Sequence, residues 1–155
     1  MATTTALKMP GTPRPWMNAI VRSMLRTPGV RRLLGKTFAL LTVTGSVTGK
    51  RYTTPVQSFR HDGNHVVLSQ RKRTWWRNIT KQPVVQLLVQ GEMVDGHADV
   101  IDAAAARPVL AAVLEENPRV AKFYGIAVDG AGAVDPTGIE QLLEHVVVIV
   151  ISPDA

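Results

Sequence analysis

Four cations and two indoles fall within Arg71-Lys72-Arg73-Thr74-Trp75-Trp76-Arg77, between Ser69-Gln70 and Asn78. Cations interleaved with aromatic rings suit a ligand that is both anionic and flat. The charges hold a phosphate or carboxylate, and the rings pack on a planar group. A helix capped by Thr74 would point free backbone N–H groups back at the basic loop and add to such an anion site. Two tryptophans are costly to leave in water, so at least one packs on the core or on a ligand. A plainer reading stays open beside this one: an indole that is simply core, and cations that are simply solvated.

A second candidate is Thr44-Gly45-Ser46-Val47-Thr48-Gly49-Lys50-Arg51, where two glycines stand four apart between expected strands. It lacks the spacing of a nucleotide-binding P-loop, and no helix pattern follows it. Such a turn can still offer backbone N–H groups, Lys50 and Arg51 to a phosphate; an ordinary hairpin turn is the alternative. Phe123-Tyr124 precedes a Gly-rich stretch and could wall a substrate pocket, with the Tyr124 phenol as a proton or hydrogen-bond donor. Ordinary core aromatics would read the same way. His61, His65, His97 and His145 show no metal-ligand spacing, so no metal is expected. No G-x-S-x-G pattern or paired carboxylates stand out. Cysteine is absent, which excludes disulfides, thiolate catalysis and Cys-ligated metals.

The elements that must position these residues follow from hydrophobic period and turn signals. Strands are expected over 38–44, 52–60, 65–69, 84–90, 93–101 and 146–152, with Gly96 a candidate bulge. His61-Asp62-Gly63-Asn64 reads as a tight hairpin turn. Helices are expected at 74–81, ended by Pro83, at 103–116 with Pro108 in the first turn or at a kink, at 118–124 and at 139–145. Residues 125–138 read as a mobile Gly-rich loop. The fold class is mainly β with helices (α+β): a small closed or half-open barrel of about six antiparallel strands, over 37–155. Ahead of it, residues 1–36 form an arm. Within the arm, Trp16, Met17, Ile20, Val21, Met24 and Leu25 share one helical face and Arg22 and Arg26 lie largely off it, followed by a second basic helix near 29–36. This amphipathic helix could dock on the barrel or lie on an anionic membrane.

The charge is uneven. The net charge is +6, and ten Lys/Arg precede the first carboxylate, Asp62. That asymmetry points to an anionic partner. No apolar run is long enough for a transmembrane helix, and the N-terminus lacks the apolar core of a secretory signal.

Two blocks resemble the deazaflavin-dependent nitroreductase family of actinobacterial flavin and deazaflavin oxidoreductases. The family pattern L-L-T-x-T-G-R-K-[ST]-G-x-x-R-x-x-P-L appears as Leu40-Leu41-Thr42-Val43-Thr44-Gly45-Ser46-Val47-Thr48-Gly49-Lys50-Arg51-Tyr52-Thr53-Thr54-Pro55-Val56. A second pattern, W-[YW]-x-N-L-x-x-x-P-x-V, appears as Trp75-Trp76-Arg77-Asn78-Ile79-Thr80-Lys81-Gln82-Pro83-Val84-Val85. The resemblance implies a split β-barrel that binds coenzyme F420 and passes hydride to a quinone, a nitroaromatic or another apolar acceptor. It implies Lys50 and Arg51 at the coenzyme tail, Pro55 and Val56 flanking the ring, and Ser69, Gln70, Arg71, Lys72 and Arg73 as the phosphate and ring loop. Trp75 and Asn78 occupy its W-x-x-N positions, and Tyr124 and Ser69 are the candidate catalytic groups. The departures are Ser46 and Val47 where the family has Arg and Lys, Tyr52 where it has Arg, and a short loop between Ser69 and Trp75.

The alternatives are an FMN-binding split barrel and a non-catalytic barrel that binds lipid or membrane. A nucleic-acid module ranks lowest, because no reader fold is visible. The expected location is the cytoplasm, with peripheral contact to the inner face of the plasma membrane open. A homodimer is a family-level expectation.

Overall fold

A computed structural model describes residues 38–154. The expected arm and helices within 1–36 lie outside the described residues. Six strands follow one another as β1 (Phe38–Thr44), β2 (Arg51–His61), β3 (Asn64–Gln70), β4 (Val84–Val89), β5 (Glu92–Ile101) and β6 (Val146–Pro153). They close into an antiparallel barrel in the order β1-β2-β3-β6-β5-β4, with β4 pairing back onto β1. A closed sheet leaves no edge strand to template aggregation. A 3₁₀ helix (Trp75–Thr80) joins β3 to β4, and three helices join β5 to β6: α1 (Ala103–Glu116), α2 (Pro118–Phe123) and α3 (Pro136–His145).

Strand alternation splits the apolar residues into two cores. Ala39, Leu41, Val43, Val56, Val67, Val85, Leu87, Ala98, Val147, Ile149 and Ile151 fill the barrel, and Ile79 of the 3₁₀ helix, 1% exposed, joins them. The opposite faces of β2, β3 and β6 present Phe59, Val66, Leu68, Val146 and Val148 to α1, α2 and α3. β6 is buried on both faces, which explains its unbroken run of Val and Ile. Each fully buried side chain of this size contributes roughly 1.5–3 kcal/mol relative to exposure.

The expected strands are all present, within a residue or two at each end. Three local expectations need correction. β5 runs through Gly96 without a bulge, since its pairing is continuous with both β4 and β6. The glycine is there because a Cβ would sit 2.5 Å from the Ser152 carbonyl oxygen. Pro108 lies in the second turn of α1, which corrects its first-turn placement and not the alternative of a kink; the N-terminal turn is capped by Asp102, whose carboxylate accepts from the Ala105 amide at 2.9 Å. The Gly-rich stretch carries local structure that a loop over 125–138 leaves out. Val128 and Val134 bridge, and the Asp129 carboxylate accepts from Ala131 and Ala133 amides. α3 starts inside that stretch, at Pro136.

Candidate functional site at one rim of the barrel

Antiparallel order gives the barrel two unlike rims. The β1–β2 turn, the β3–β4 connection with its 3₁₀ helix, and the junction of α3 with β6 all lie at one rim. The turns at 62–63 and 90–91 and Asp154 lie at the other. Both motif blocks therefore share one rim, along with Lys50, Arg51, Lys72, Arg73, Arg77 and Lys81.

The β1–β2 turn is closed at its base by Gly45 N–H donating to the Lys50 carbonyl at 2.7 Å, and Gly49 takes a φ of 72°. Gly45 is also packed under Tyr52, whose ring carbon would lie 2.8 Å from a Cβ there. Tyr52, the residue in place of a family arginine, thus covers the turn. Lys50 is exposed. Arg51 is exposed too, but its guanidinium donates to Gln86, which donates in turn to Asp95 at 2.8 Å.

The loop after β3 separates into residues that build and residues that remain available. Arg71 builds. Its amide donates to the His145 carbonyl at 2.7 Å, and Nη2 donates to the Leu143 and Val146 carbonyls at 3.0 and 3.1 Å. It therefore satisfies carbonyls at the C-terminal end of α3, where a cation also complements the helix dipole. Trp76 Nε1 donates to the Arg71 carbonyl at 3.3 Å, and Arg77 lies 5.5 Å from the Trp76 ring centroid. Lys72 is exposed. Arg73 is half-buried, and loss of solvent lowers the pKa of its guanidinium from the ordinary value. No side chain among the described residues pairs with that guanidinium. Thr74 precedes the helix but its side chain makes no cap bond, and the helix is a six-residue 3₁₀ turn.

Asn78 ties the two blocks together. Its Oδ1 accepts from the Ser46 amide at 3.0 Å and from the Ser46 hydroxyl at 3.2 Å, and its Nδ2 donates to the Trp75 carbonyl at 3.0 Å. Trp75 and Trp76 pack partly against the barrel core, and Trp75 Nε1 is buried with no acceptor.

Other candidates lie elsewhere. Val56 is inside the barrel, whereas Pro55 is on the outer face opposite Leu40, so these neighbours do not line one surface. Ser69 is buried, and its hydroxyl donates to the Gln70 carbonyl at 3.3 Å. Tyr124 is 5% exposed in the core beneath the helices, packed edge-on to Phe123 at 5.5 Å. Burial raises its pKa, so the phenol keeps its proton. A cleft of about 390 Å³ opens at the same rim, lined by Gln70, Arg71, Lys72, Glu144 and His145. Glu144 and His145 were not expected there. Their only sequence signal is their place at the end of a helix that returns to the rim.

Exposed Lys50 and Lys72, a half-buried Arg73 with no ion pair among the described residues, and the partly buried indoles share this rim with a cleft that also carries the Glu144 carboxylate. Residues 16–129 match the model of the F420H(2)-dependent quinone reductase family. No curated protein sequence matches the chain. Among solved structures, an F420-H2 dependent reductase (FDR-A) is 17% identical with a TM-score of 0.53, covering 76% of this chain and 95% of that one. The heme storage protein HutZ from Vibrio cholerae is 14% identical with a TM-score of 0.55, covering 84% and 91%. A structure described as a domain-swapped dimer is 16% identical with a TM-score of 0.53, covering 88% and 97%. Likeness at these identities shows a shared barrel fold.

Proposed function

The chain belongs to the F420H(2)-dependent quinone reductase family, and from that membership we propose that it is an oxidoreductase that uses reduced deazaflavin coenzyme F420. The coenzyme supplies the hydride; the acceptor is a quinone, a nitroaromatic or another apolar molecule. The observation that carries the reading is the gathering of both motif blocks at one rim, where Arg73 has no ion-pair partner among the described residues.

The chain's own residues do the positioning. Lys50, Lys72 and Arg73 would hold the acidic tail by charge, and the partial burial of Arg73 strengthens its attraction. Trp75 and Trp76 give the flat ring an apolar wall that limits water. Arg71 anchors the loop that carries Lys72 and Arg73. Tyr124 is a protonated phenol across the physiological range; a part in proton delivery would require the packing around Phe123 to open.

The test is a titration of the purified full chain with F420 and, separately, with FMN, followed by tryptophan quenching. The expected result is saturable F420 binding that weakens with salt, and oxidation of reduced F420 when a naphthoquinone is added. Preference for FMN would move the chain to a flavin-using reading. Binding of neither would leave a lipid- or membrane-binding barrel as the better account.

A further inference from the structure

We propose that Asn78 is a positioning residue, not a coenzyme ligand, and that with Ser46 it forms a clamp fixing the cationic turn to the tryptophan helix. The functional half of this inference rests on the F420 reading above; the structural half does not.

The argument starts from hydrogen-bond capacity. An amide oxygen has two lone pairs. Both are used at Asn78, by the amide and the hydroxyl of Ser46. One N–H of the amide group is used as well, on the Trp75 carbonyl. The acceptor side of Asn78 is therefore filled before any ligand arrives. Among the described residues, the turn's own bonds run from the Gly45 amide to the Lys50 carbonyl, from the Gly49 amide to the Gly45 carbonyl and from the Lys50 amide to the Thr48 hydroxyl. Ser46 is the point where its far side meets the rest of the fold. Asn78 is in turn fixed to the core, because the next residue, Ile79, is buried among barrel side chains. A rigid path thus runs from the barrel core through Asn78 and Ser46 to Lys50 and Arg51. Ser46 stands where the family pattern has a cation. Here the position gives up a charge and gains a hydroxyl that holds the turn in place before the ligand binds, which lowers the ordering cost of binding.

Three variants test this in the full chain: Asn78→Ala, Asn78→Asp and Ser46→Ala. Amide exchange measured by NMR without coenzyme reads the clamp directly. Asn78→Ala should speed exchange at Ser46 by roughly fivefold to tenfold, while Val67 and Ile149 in the barrel stay unchanged. Asn78→Asp keeps an acceptor for Ser46 but loses the donor to the Trp75 carbonyl, so it should retain only part of the Ser46 protection. Unchanged Ser46 exchange in Asn78→Ala would overturn the clamp. F420 titration reads the consequence: Asn78→Ala and Ser46→Ala each weaken binding, and the double variant binds no worse than Asn78→Ala alone. Additive losses would make Asn78 an independent ligand and overturn the positioning role. A wild-type chain that binds no F420, with the exchange pattern as expected, would remove the coenzyme reading and leave the clamp standing.

Discussion

At the scale of single residues, the basic loop shows that neighbouring cations need not share a task. Arg71 faces the carbonyls of Leu143 and Val146, whereas Lys72 faces solvent. Arg71→Ala should therefore cost stability, about 1–2 kcal/mol, seen as a lower Tm. Lys72→Ala should leave Tm unchanged, weaken F420 binding and flatten its salt dependence. Equal Tm losses in the two variants would contradict this division. Val47 offers the converse experiment. It is 92% exposed at a position where the family carries a cation. Val47→Lys should tighten F420 binding by about twofold to fivefold, the range for an exposed charge pair, and steepen its response to salt. An unchanged affinity would place the tail away from the turn. The resemblance implied Arg71 and Asn78 at the coenzyme. It could not report that Arg71 Nη2 also bonds the Leu143 and Val146 carbonyls, or that the Asn78 amide bonds Ser46 and Trp75.

At the scale of elements, hydrophobic period located the strands because each has one or both faces buried and must alternate or run apolar accordingly. Local conformational signals did less well. Thr74 has the chemistry of a cap, yet its side chain makes no cap bond. Gly96 has the freedom to bulge, yet the strand needs it for close approach to Ser152. At Gly96 a distant chain segment decided the outcome. Gly96→Ala should destabilise by roughly 2–4 kcal/mol, because the atom met is backbone and cannot swing away. A urea unfolding midpoint that drops with an unchanged slope would show it; a wild-type midpoint would mean that β5 and β6 part easily. The helices show the same dependence. Arg107 of α1 pairs with Glu140 of α3 across a separation that no local pattern encodes.

At the scale of the whole molecule, closure of the barrel buries several polar atoms without partners, among them Thr54 Oγ1, Ser58 Oγ and both nitrogens of His65. His65 is 2% exposed, and neither ring nitrogen has a partner. Burial first, and Arg60 second, lower its pKa below the ordinary 6.5. The unfolded chain therefore binds the proton more readily than the folded one. Stability is fully present above about pH 6.5 and declines as the pH falls below it, toward the folded pKa. Urea midpoints at pH 7.5 and pH 5.0 should differ in that sense, and His65→Leu should reduce the difference; an unaltered difference would assign the acid sensitivity to other groups. No helix among the described residues is long and apolar enough to cross a membrane. By itself the sequence determined the strand pattern, the absence of cysteine chemistry, the uneven charge and the family, because each is written in residue type and spacing along the chain. Only the tertiary structure decided which cations bond to the fold, where Val56, Ser69 and Tyr124 lie, and that Glu144 and His145 join the rim. Those are matters of which side chains meet across the closed barrel, and strand order and register set them.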